Sequence, residues 1–151
     1  MRNRIFILVF TITNIAICAQ AQNDSLAVKS SVENFLSAFN SFQWEAFRNS
    51  FADDATIFFP DWEQAKRVSG RNEIEKTWLE LFPEFKYSAN TKTLGIAPRD
   101  IDIEQYGQTA IATFHLGSGE KFLSRRTLVM ANLKGEWKIV HLHASTLFPE
   151  K

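Results

Sequence analysis

Apolar residues between positions 24 and 51 recur at helical spacing. The first stripe predicts a helix that begins at a cap formed by Asp24 or Ser25 and ends near Asn40. The apolar members of this stripe are Val28, Val32, Phe35, Leu36 and Phe39. A shorter stripe predicts a second helix, with the apolar members Trp44, Phe47 and Phe51. Asp53 and Asp54 follow it and are expected to form a turn into a strand, because aspartate favours turns.

The next segment predicts a strand and a third helix, joined by a polar loop. Residues 55–59 (ATIFF) are mostly β-branched or aromatic, which favours a strand, and Pro60 ends it. Residues 61–69 are mostly polar and predict the loop. Gly70 precedes a third helical stripe, which Pro83 ends. The apolar members of that stripe are Ile74, Trp78, Leu81 and Phe82.

After Pro83 the spacing of apolar residues changes from helical to alternating. Alternation favours strands, and the pattern predicts them at 87–96, 101–106, 110–116, 121–133 and 137–147. Glycine-containing turns separate most of these segments. Helices followed by a run of strands indicate an α+β fold, in which the helices gather on one face of a curved antiparallel sheet.

The first 21 residues have a different composition from the rest of the chain. Arg2 and Arg4 precede an apolar run of 13 residues, and a small-x-small cleavage site ends at Ala21. This order is typical of a signal peptide, so we expect residues 1–21 to be removed and residues 22–151 to form one domain. A retained membrane anchor and lipidation of Cys18 are the alternatives. The prediction is export to the periplasm or the extracellular space, without membrane attachment after cleavage.

Composition and motif content narrow the functional classes. The chain carries 17 Lys and Arg against 17 Asp and Glu, so no net charge draws it towards nucleic acid. A single cysteine can form neither an internal disulfide nor a cysteine-rich zinc site. The sequence has no glycine-rich phosphate loop, no nucleophile elbow and no His-Glu-x-x-His motif. We therefore predict no cofactor, no metal and no nucleic-acid partner.

Four segments together resemble the SnoaL-like branch of the nuclear transport factor 2-like superfamily. They are FLSAFNSFQWEAF (35–47), FADDATIFFP (51–60), SGRNEI (69–74) and GEWKIVHLHAS (135–145). The last segment also resembles the association domain of calcium/calmodulin-dependent protein kinase. The resemblance implies a cone, in which a strongly curved antiparallel β-sheet wraps a long N-terminal helix and leaves a pocket at its open end. It also implies a homodimer formed through the sheet. Such folds host enzymes and binding modules, so the activity stays open.

The segment FADDATIFFP also resembles the start of the ketosteroid isomerases, but the catalytic residues of those enzymes are absent. The position that aligns with their general base is Phe59, and the position that aligns with their oxyanion-hole tyrosine is Phe35. Phenylalanine can neither accept a proton nor donate a hydrogen bond to an oxyanion. We therefore expect no chemistry of the ketosteroid isomerase type.

Three histidines are candidates for acid–base chemistry, because imidazole titrates near neutral pH. The resemblance to the kinase association domain aligns His115 with a pocket arginine, so His115 is a candidate for ligand contact, or for catalysis together with Asp61. His141 and His143 alternate along the last strand and are expected to share one face. The other expected members of that face are Trp137, Ile139 and Ser145. It is either the outer, dimer-forming face or the face that lines the pocket.

One arginine is a candidate for the polar end of the pocket. Successive residues of a strand face opposite ways, so Arg126 faces inward if Leu128 and Met130 do. A buried guanidinium needs an anionic partner, and it suits a carboxylate ligand. The other candidates for ligand binding are Phe35, Phe59, Trp62, Trp78, His115 and Leu142. For the aromatic residues among them, packing in the core is the alternative.

Three functional hypotheses follow from these residues. The first is an exported domain that binds a small, partly apolar ligand, with carboxylates among the candidates. The second is a lyase, isomerase or hydrolase that uses His115, or His141 and His143, together with Asp61. The third is a homodimeric assembly module without a ligand.

Overall fold

The computed structural model describes residues 25–60, 66–87, 92–117 and 123–147. Its helices are α1 (25–40), α2 (Trp44–Arg48) and α3 (Arg71–Leu81), followed by a 3-10 turn at Pro83–Lys86. Its strands are β1 (Phe51–Phe58), β2 (Val68–Ser69), β3 (Arg99–Tyr106), β4 (Thr109–Leu116), β5 (Leu123–Leu133) and β6 (Glu136–Leu147). Within these ranges, no helix is long and apolar enough to cross a membrane. The predicted leader 1–21 and the predicted cap Asp24 lie outside them.

The strands of the described ranges form one sheet, in the order β2-β1-β6-β5-β4-β3. Strand β1 runs parallel to β6, and the other neighbouring strands are antiparallel. The sheet is curved and does not close on itself, so β2 and β3 are its edges. Helices combined with this mostly antiparallel sheet confirm the predicted α+β class.

The apolar stripe of α1 is buried, as its spacing predicts. Val28 and Phe35 are at most 3% exposed. The ring of Phe35 meets the ring of Phe51 in β1 edge to face, with centroids 5.8 Å apart. One turn further along α1, Phe39 meets Trp78 of α3 at 5.3 Å. The core therefore lies between the helices and one face of the sheet, which we call the inner face.

Strand β1 begins earlier than the sequence pattern predicts. Phe51, which was expected in the second helix, is the first residue of β1, and Asp53 and Asp54 lie within the strand instead of in a turn. The predictions for these residues are wrong because a single buried phenylalanine fits helical and strand spacing equally well. Asp53 is exposed, and its carboxylate lies 3.2 Å from the guanidinium of Arg71. The sequence pattern does not reveal this cationic partner of Asp53.

The predicted strand at 87–96 is absent from the part that the structure describes. Residues 92–98 adopt neither helix nor strand, and 88–91 lie outside the described ranges. Asn40 binds this segment instead: its carbonyl accepts a hydrogen bond from the amide of Leu94 at 2.8 Å, and its side-chain oxygen accepts one from the amide of Ile96 at 3.0 Å. The predicted loop at 61–69 contains β2 at its end, whereas residues 61–65 are outside the described ranges.

A β-bulge in β6 determines which residues of this strand face the core. His141 pairs with Val129 and Ile139 pairs with Met130, so Val140 is an extra residue between two regular stretches. Ile139 and Trp137 before the bulge are buried, and so are Leu142 and Ala144 after it. The prediction that Trp137 and Ile139 share a face with the histidines is therefore wrong, because the extra residue reverses the alternation.

Candidate functional site

Three strands place one charged side chain on the inner face of the sheet. Phe114 of β4, Arg126 of β5 and Ala144 of β6 are direct neighbours in the register. Residues that pair directly point to the same face. Phe114 and Ala144 are at most 5% exposed, so Arg126 lies on the buried side of the sheet. The inward orientation predicted for Arg126 is thus found, together with buried Leu128.

A cavity of about 210 Å³ lies beside Arg126, between α1, α3 and the inner face. Its wall is mostly aromatic and aliphatic, and Arg126 supplies the only charge among the described residues that line it. The lining residues are Phe39, Phe59, Pro60, Trp78, Leu81, Phe82, Arg126, Leu142 and Ala144. A site with an apolar wall and one fixed polar group is typical of small-molecule pockets.

Helix α3 provides the aromatic side of the cavity. Gly70 is the cap residue before this helix, Trp78 lies on its last turn, and Phe82 is the cap residue after its end, before Pro83. The ring of Trp78 lies 5.1 Å from that of Phe59 and 5.4 Å from that of Phe82, measured between centroids. The buried indole N–H of Trp78 has no acceptor among the described residues. The wall is therefore a set of interlocked rings, which limits how far any one of them moves.

The guanidinium of Arg126 is only partly compensated. Its Nη1 donates to the hydroxyl of Ser124 and, at 3.0 Å, to the carbonyl of Arg125. No described carboxylate lies within ion-pair distance of it. Burial lowers the pKa of Arg126 to about 10, because a partly desolvated cation is less stable than a hydrated one. Arg126 nevertheless remains charged at neutral pH and offers donors to an anion.

Four of the predicted ligand-binding residues come together at this cavity: Phe59, Trp78, Arg126 and Leu142. Phe35 does not line it, because its ring is packed in the core against Phe47 and Phe51. Phe35 is thus a core residue, which was the alternative reading. The predicted lid residue Trp62 and the predicted acid Asp61 lie outside the described ranges.

His115 lies on the opposite face of the sheet from the cavity. Its neighbours Phe114 and Leu116 are buried on the inner face, so alternation turns His115 outward. Its Nδ1 lies 3.6 Å from a carboxylate oxygen of the exposed Asp100. The sheet therefore separates His115 from Arg126, so the ligand contact predicted for His115 is not part of this cavity.

His141 and His143 also lie on the outer face, across the sheet from Leu142 and Ala144. Nδ1 of His141 is 2.7 Å from the hydroxyl oxygen of Thr56, and the ring of Phe58 is 5.8 Å from both imidazoles. Burial lowers the pKa of His141, and the nearby charges of His143 and Arg67 lower it further. Of the two faces left open by the sequence, the histidines thus occupy the outer one.

Several residues that line the cavity were not among the ligand-binding residues predicted from the sequence. Leu81 and Phe82 follow Trp78 by three and four positions, and this spacing places them on the same side of α3. Ala144 follows Leu142 by two positions in β6 and shares its face. Periodicity could have indicated these residues, but it gives no sign of which part of a buried face borders a cavity.

A second, wider groove of about 740 Å³ lies between α2 and the 3-10 turn. Aromatic residues line it, among them Trp44, Phe85 and Tyr87. The guanidinium of Arg48 lies 5.9 Å from the ring centroid of Trp44 and pairs with Glu75 at 2.9 Å, so this cation already has an acid partner. The charged residues among the described lining of this groove, Glu45 and Lys86, are exposed, so we take the smaller cavity at Arg126 as the candidate site.

The curved, unclosed sheet packed on helices has the fold of the nuclear transport factor 2-like class. The sequence agrees with this assignment, because the family described as "SnoaL-like domain" matches residues 28–149. The chain belongs to the SnoaL-like domain family. No curated protein matches it in sequence.

Solved structures of similar fold include proteins with different provisional assignments. An NTF2-like protein of unknown function from Pseudomonas putida is 18% identical, with a TM-score of 0.68 over 87% of this chain and 97% of the other. A provisionally assigned dehydratase from Streptomyces avermitilis is 20% identical, with a TM-score of 0.67 over 85% and 99%. A provisionally assigned ketosteroid isomerase from Parabacteroides distasonis is 19% identical, with a TM-score of 0.58 over 78% and 86%. At these identities the likeness shows the fold alone.

Proposed function

We propose that this SnoaL-like domain binds a small, partly apolar carboxylate in the cavity beside Arg126. The observation that carries the proposal is a partly buried guanidinium with no described carboxylate partner, at the edge of an otherwise apolar cavity. A charge in such a place costs free energy unless an anion compensates it. A ligand carboxylate would accept two parallel hydrogen bonds from the guanidinium, while its apolar part would contact Phe59, Trp78 and Leu142.

The test compares ligand binding by two variants, each with a substitution at one of two neighbouring arginines that face opposite sides of the sheet. In the first variant, Arg126→Gln, the cation at the cavity is removed. In the matched control, Arg125→Gln, the same change is made at an exposed position on the outer face. Binding of benzoate and of hexanoate is measured by isothermal titration calorimetry at low ionic strength. We expect Arg126→Gln to weaken carboxylate binding by about tenfold or more and the control to leave it unchanged. Equal affinity in both variants, or no binding to the native protein, would refute the proposal.

The enzymatic alternative has less support from the geometry. The lining residues that the structure describes include no carboxylate and no histidine, so general acid–base catalysis there lacks a group other than Arg126. His115, His141 and His143 are separated from the cavity by the sheet. A catalytic role for Asp61 would be supported by turnover of a bound carboxylate that is lost in Asp61→Asn but retained in Arg125→Gln.

A homodimer through the outer face is the second proposal. Half-buried side chains from four neighbouring strands form a row on this face: Thr56, His141, Val129 and Ile111. Exposed His143 lies next to this row. We expect His143→Glu to convert a dimer into a monomer, because it adds a charge to a surface that would be desolvated. Light scattering after size-exclusion chromatography measures the outcome, and a native protein that is monomeric at high concentration would exclude this dimer.

Export remains part of the proposed function, supported by the basic, apolar and small-x-small order of residues 1–21. The expected mature protein begins at Gln22. Intact-mass measurement of protein secreted or released from the periplasm tests this. A mass that includes residues 1–21, or a lipid at Cys18, would replace the proposal with one of the two anchored alternatives.

A further inference from the structure

The volume of the cavity and the residues of its wall narrow the class of ligand that it can bind. The inference drawn from them rests on the proposed function, carboxylate binding beside Arg126. An apolar cavity of about 150 Å³ is known to hold one benzene ring. The cavity here, at about 210 Å³, exceeds that by roughly 60 Å³, which is about the space of two water-sized groups. A single six-membered ring with one carboxylate matches this volume, whereas a fused pair of rings with a carboxylate would extend out of the cavity.

Four of the lining residues are aromatic, and they come from three different parts of the fold. They are Phe39 of α1, Phe59 directly after β1, and Trp78 of α3 with Phe82 directly after that helix. Phe82 stands edge-on to Phe39, at 5.2 Å and 87°, and Phe39 stands at 68° to Trp78. Rings at such angles to one another can offer a face and an edge to a third ring placed between them. An aromatic ligand could make edge-to-face contacts with more than one of them, each worth more than the area that it buries.

The charge lies at one side of this aromatic enclosure. Arg126 is next to Ala144 on the inner face, and Ala144 is small, so the space above it is not filled by a long side chain. The guanidinium is therefore placed to receive the carboxylate of a ligand whose ring lies among the aromatic residues. We propose that the ligand of this cavity is a carboxylate that carries a single aromatic ring, directly or through a short linker, in the size range of benzoate and phenylacetate.

A panel of carboxylates tests the aromatic class and the carboxylate separately. Benzoate and phenylacetate are compared by isothermal titration calorimetry with hexanoate, 2-naphthoate and the neutral benzamide. We expect benzoate or phenylacetate to bind about tenfold more tightly than hexanoate, because two edge-to-face contacts contribute about that factor. 2-Naphthoate is expected to bind more weakly because of its second ring, and benzamide because it lacks the charge.

The binding data distinguish a failure of the aromatic, single-ring class from a failure of the proposed carboxylate binding. Hexanoate or 2-naphthoate binding as tightly as benzoate would overturn the aromatic, single-ring class and leave the carboxylate proposal standing. Benzamide binding as tightly as benzoate would overturn the carboxylate proposal and leave the ring. Binding of none of the five compounds would overturn both.

Two phenylalanine variants test whether the aromatic wall of the cavity causes the expected preference for benzoate over hexanoate. Phe82 is only partly buried, so Phe82→Leu keeps an apolar side chain at the end of α3 and removes one aromatic wall. The matched control is Phe58→Leu, on the outer face beside the histidines. We expect Phe82→Leu to weaken benzoate binding by several-fold and leave hexanoate unchanged, and the control to alter neither. An equal loss for both ligands in Phe82→Leu would show that aromatic contact does not determine the selectivity.

Discussion

The guanidinium of Arg126 lies on the buried face of the sheet, next to Phe114 and Ala144. Two requirements conflict at this position. An unpaired charge there favours ligand binding, but its partial desolvation destabilises the folded state. Active and binding sites often carry such destabilising groups, and substitutions that remove them stabilise the fold at the expense of function. Arg126 is the residue of this chain at which we expect that opposition to be measurable.

Arg126→Met is therefore predicted to increase stability while abolishing carboxylate binding. Methionine keeps the apolar length of the side chain and removes the charge. The expected gain in the free energy of unfolding is about 1–3 kcal/mol, measured by urea denaturation in the absence of ligand. Arg125→Met, on the exposed side, should change it by less than about 0.5 kcal/mol. A loss of stability in Arg126→Met would mean that the hydrogen bonds to Ser124 and the Arg125 carbonyl outweigh the desolvation.

Phe42 adopts a backbone conformation that normally favours glycine. Its φ is +53°, and it follows α1 in a Schellman motif, since the amide of Gln43 donates to the carbonyl of Ala38 and that of Phe42 to Phe39. The left-handed conformation costs a non-glycine residue about 1–2 kcal/mol. The ring compensates for this, because it is 7% exposed and meets Phe85 edge to face at 5.4 Å.

Two substitutions of Phe42 separate the ring from the backbone. Both Phe42→Ala and Phe42→Gly remove the ring and are expected to destabilise the protein by about 3–5 kcal/mol. Glycine should be the better of the two by about 0.5–1 kcal/mol, because it adopts positive φ without strain. At Ser37, an exposed helical position of α1, alanine should be better than glycine by a similar amount. If Phe42→Ala were also more stable than Phe42→Gly, as alanine is expected to be at position 37, the left-handed strain at Phe42 would be negligible.

The imidazole of His141 is predicted to titrate below its usual range. The folded state favours the neutral form, so it binds fewer protons than the unfolded chain between the lowered pKa and about 6.5. The contribution of His141 to stability is therefore present above pH 6.5 and is lost as pH falls through the folded pKa. NMR titration of the imidazole measures that pKa. His143→Gln should raise it, since it removes a neighbouring positive charge, and an unchanged value would contradict this cause.

At the scale of elements, helix α3 depends on how it begins. Gly70 caps the helix with φ +84° and ψ 144°, a region that residues with a side chain rarely adopt. A Cβ atom at Gly70 would meet nothing within 4 Å, so steric contact with the rest of the fold is not what requires glycine. The backbone conformation alone requires glycine at position 70. This conformation also sets the direction of α3, and with it the position of Trp78 at the cavity.

Gly70→Ala is predicted to destabilise the protein by about 1–3 kcal/mol through backbone strain alone. Chemical denaturation measures this, with the exposed neighbour Ser69→Ala as the control, for which a change below about 0.5 kcal/mol is expected. If the start of α3 shifts to relieve the strain, benzoate affinity should fall as well, because Trp78 and Phe82 move with the helix. Unchanged stability in Gly70→Ala would show that the turn relaxes at no cost.

The elements that could be predicted from the sequence are those with a sustained period and a clear end. The stripe of α1 and the Gly70 start of α3 are of this kind, and so are the last four strands. The errors lie where one residue fits two periods, as at Phe51, or where alternation is interrupted, as at Val140. The bulge at Val140 is determined by pairing with Val129 and Met130 of β5, and pairing between distant segments leaves no mark on the spacing within one of them.

At the scale of the whole molecule, the sheet divides the chemistry of the chain into two sides. Among the described residues, aromatic rings and one arginine line the cavity on the inner face, and the three histidines lie on the outer face. The sequence indicates Phe59, Trp78, Arg126 and Leu142 as candidates for the cavity, but it leaves open which face of the last strand carries Leu142 inward. It could not exclude His115, because a candidate role taken from a resemblance does not specify the face. The division also supplies matched controls, since Phe58 and Phe59, or Arg125 and Arg126, differ mainly in the side that they face.

The extra residue at position 140 acts as a phase shift in β6. Residues after it alternate out of step with residues before it, and this offset is the reason that Leu142 and Ala144, and not the two imidazoles, border the cavity. Were the same offset located beyond Ala144, both imidazoles would enter the cavity and Leu142 would leave it, without any change in amino-acid composition. In a chain of this kind, the chemistry available to a ligand depends on where a strand takes its additional residue as much as on which residues the strand contains.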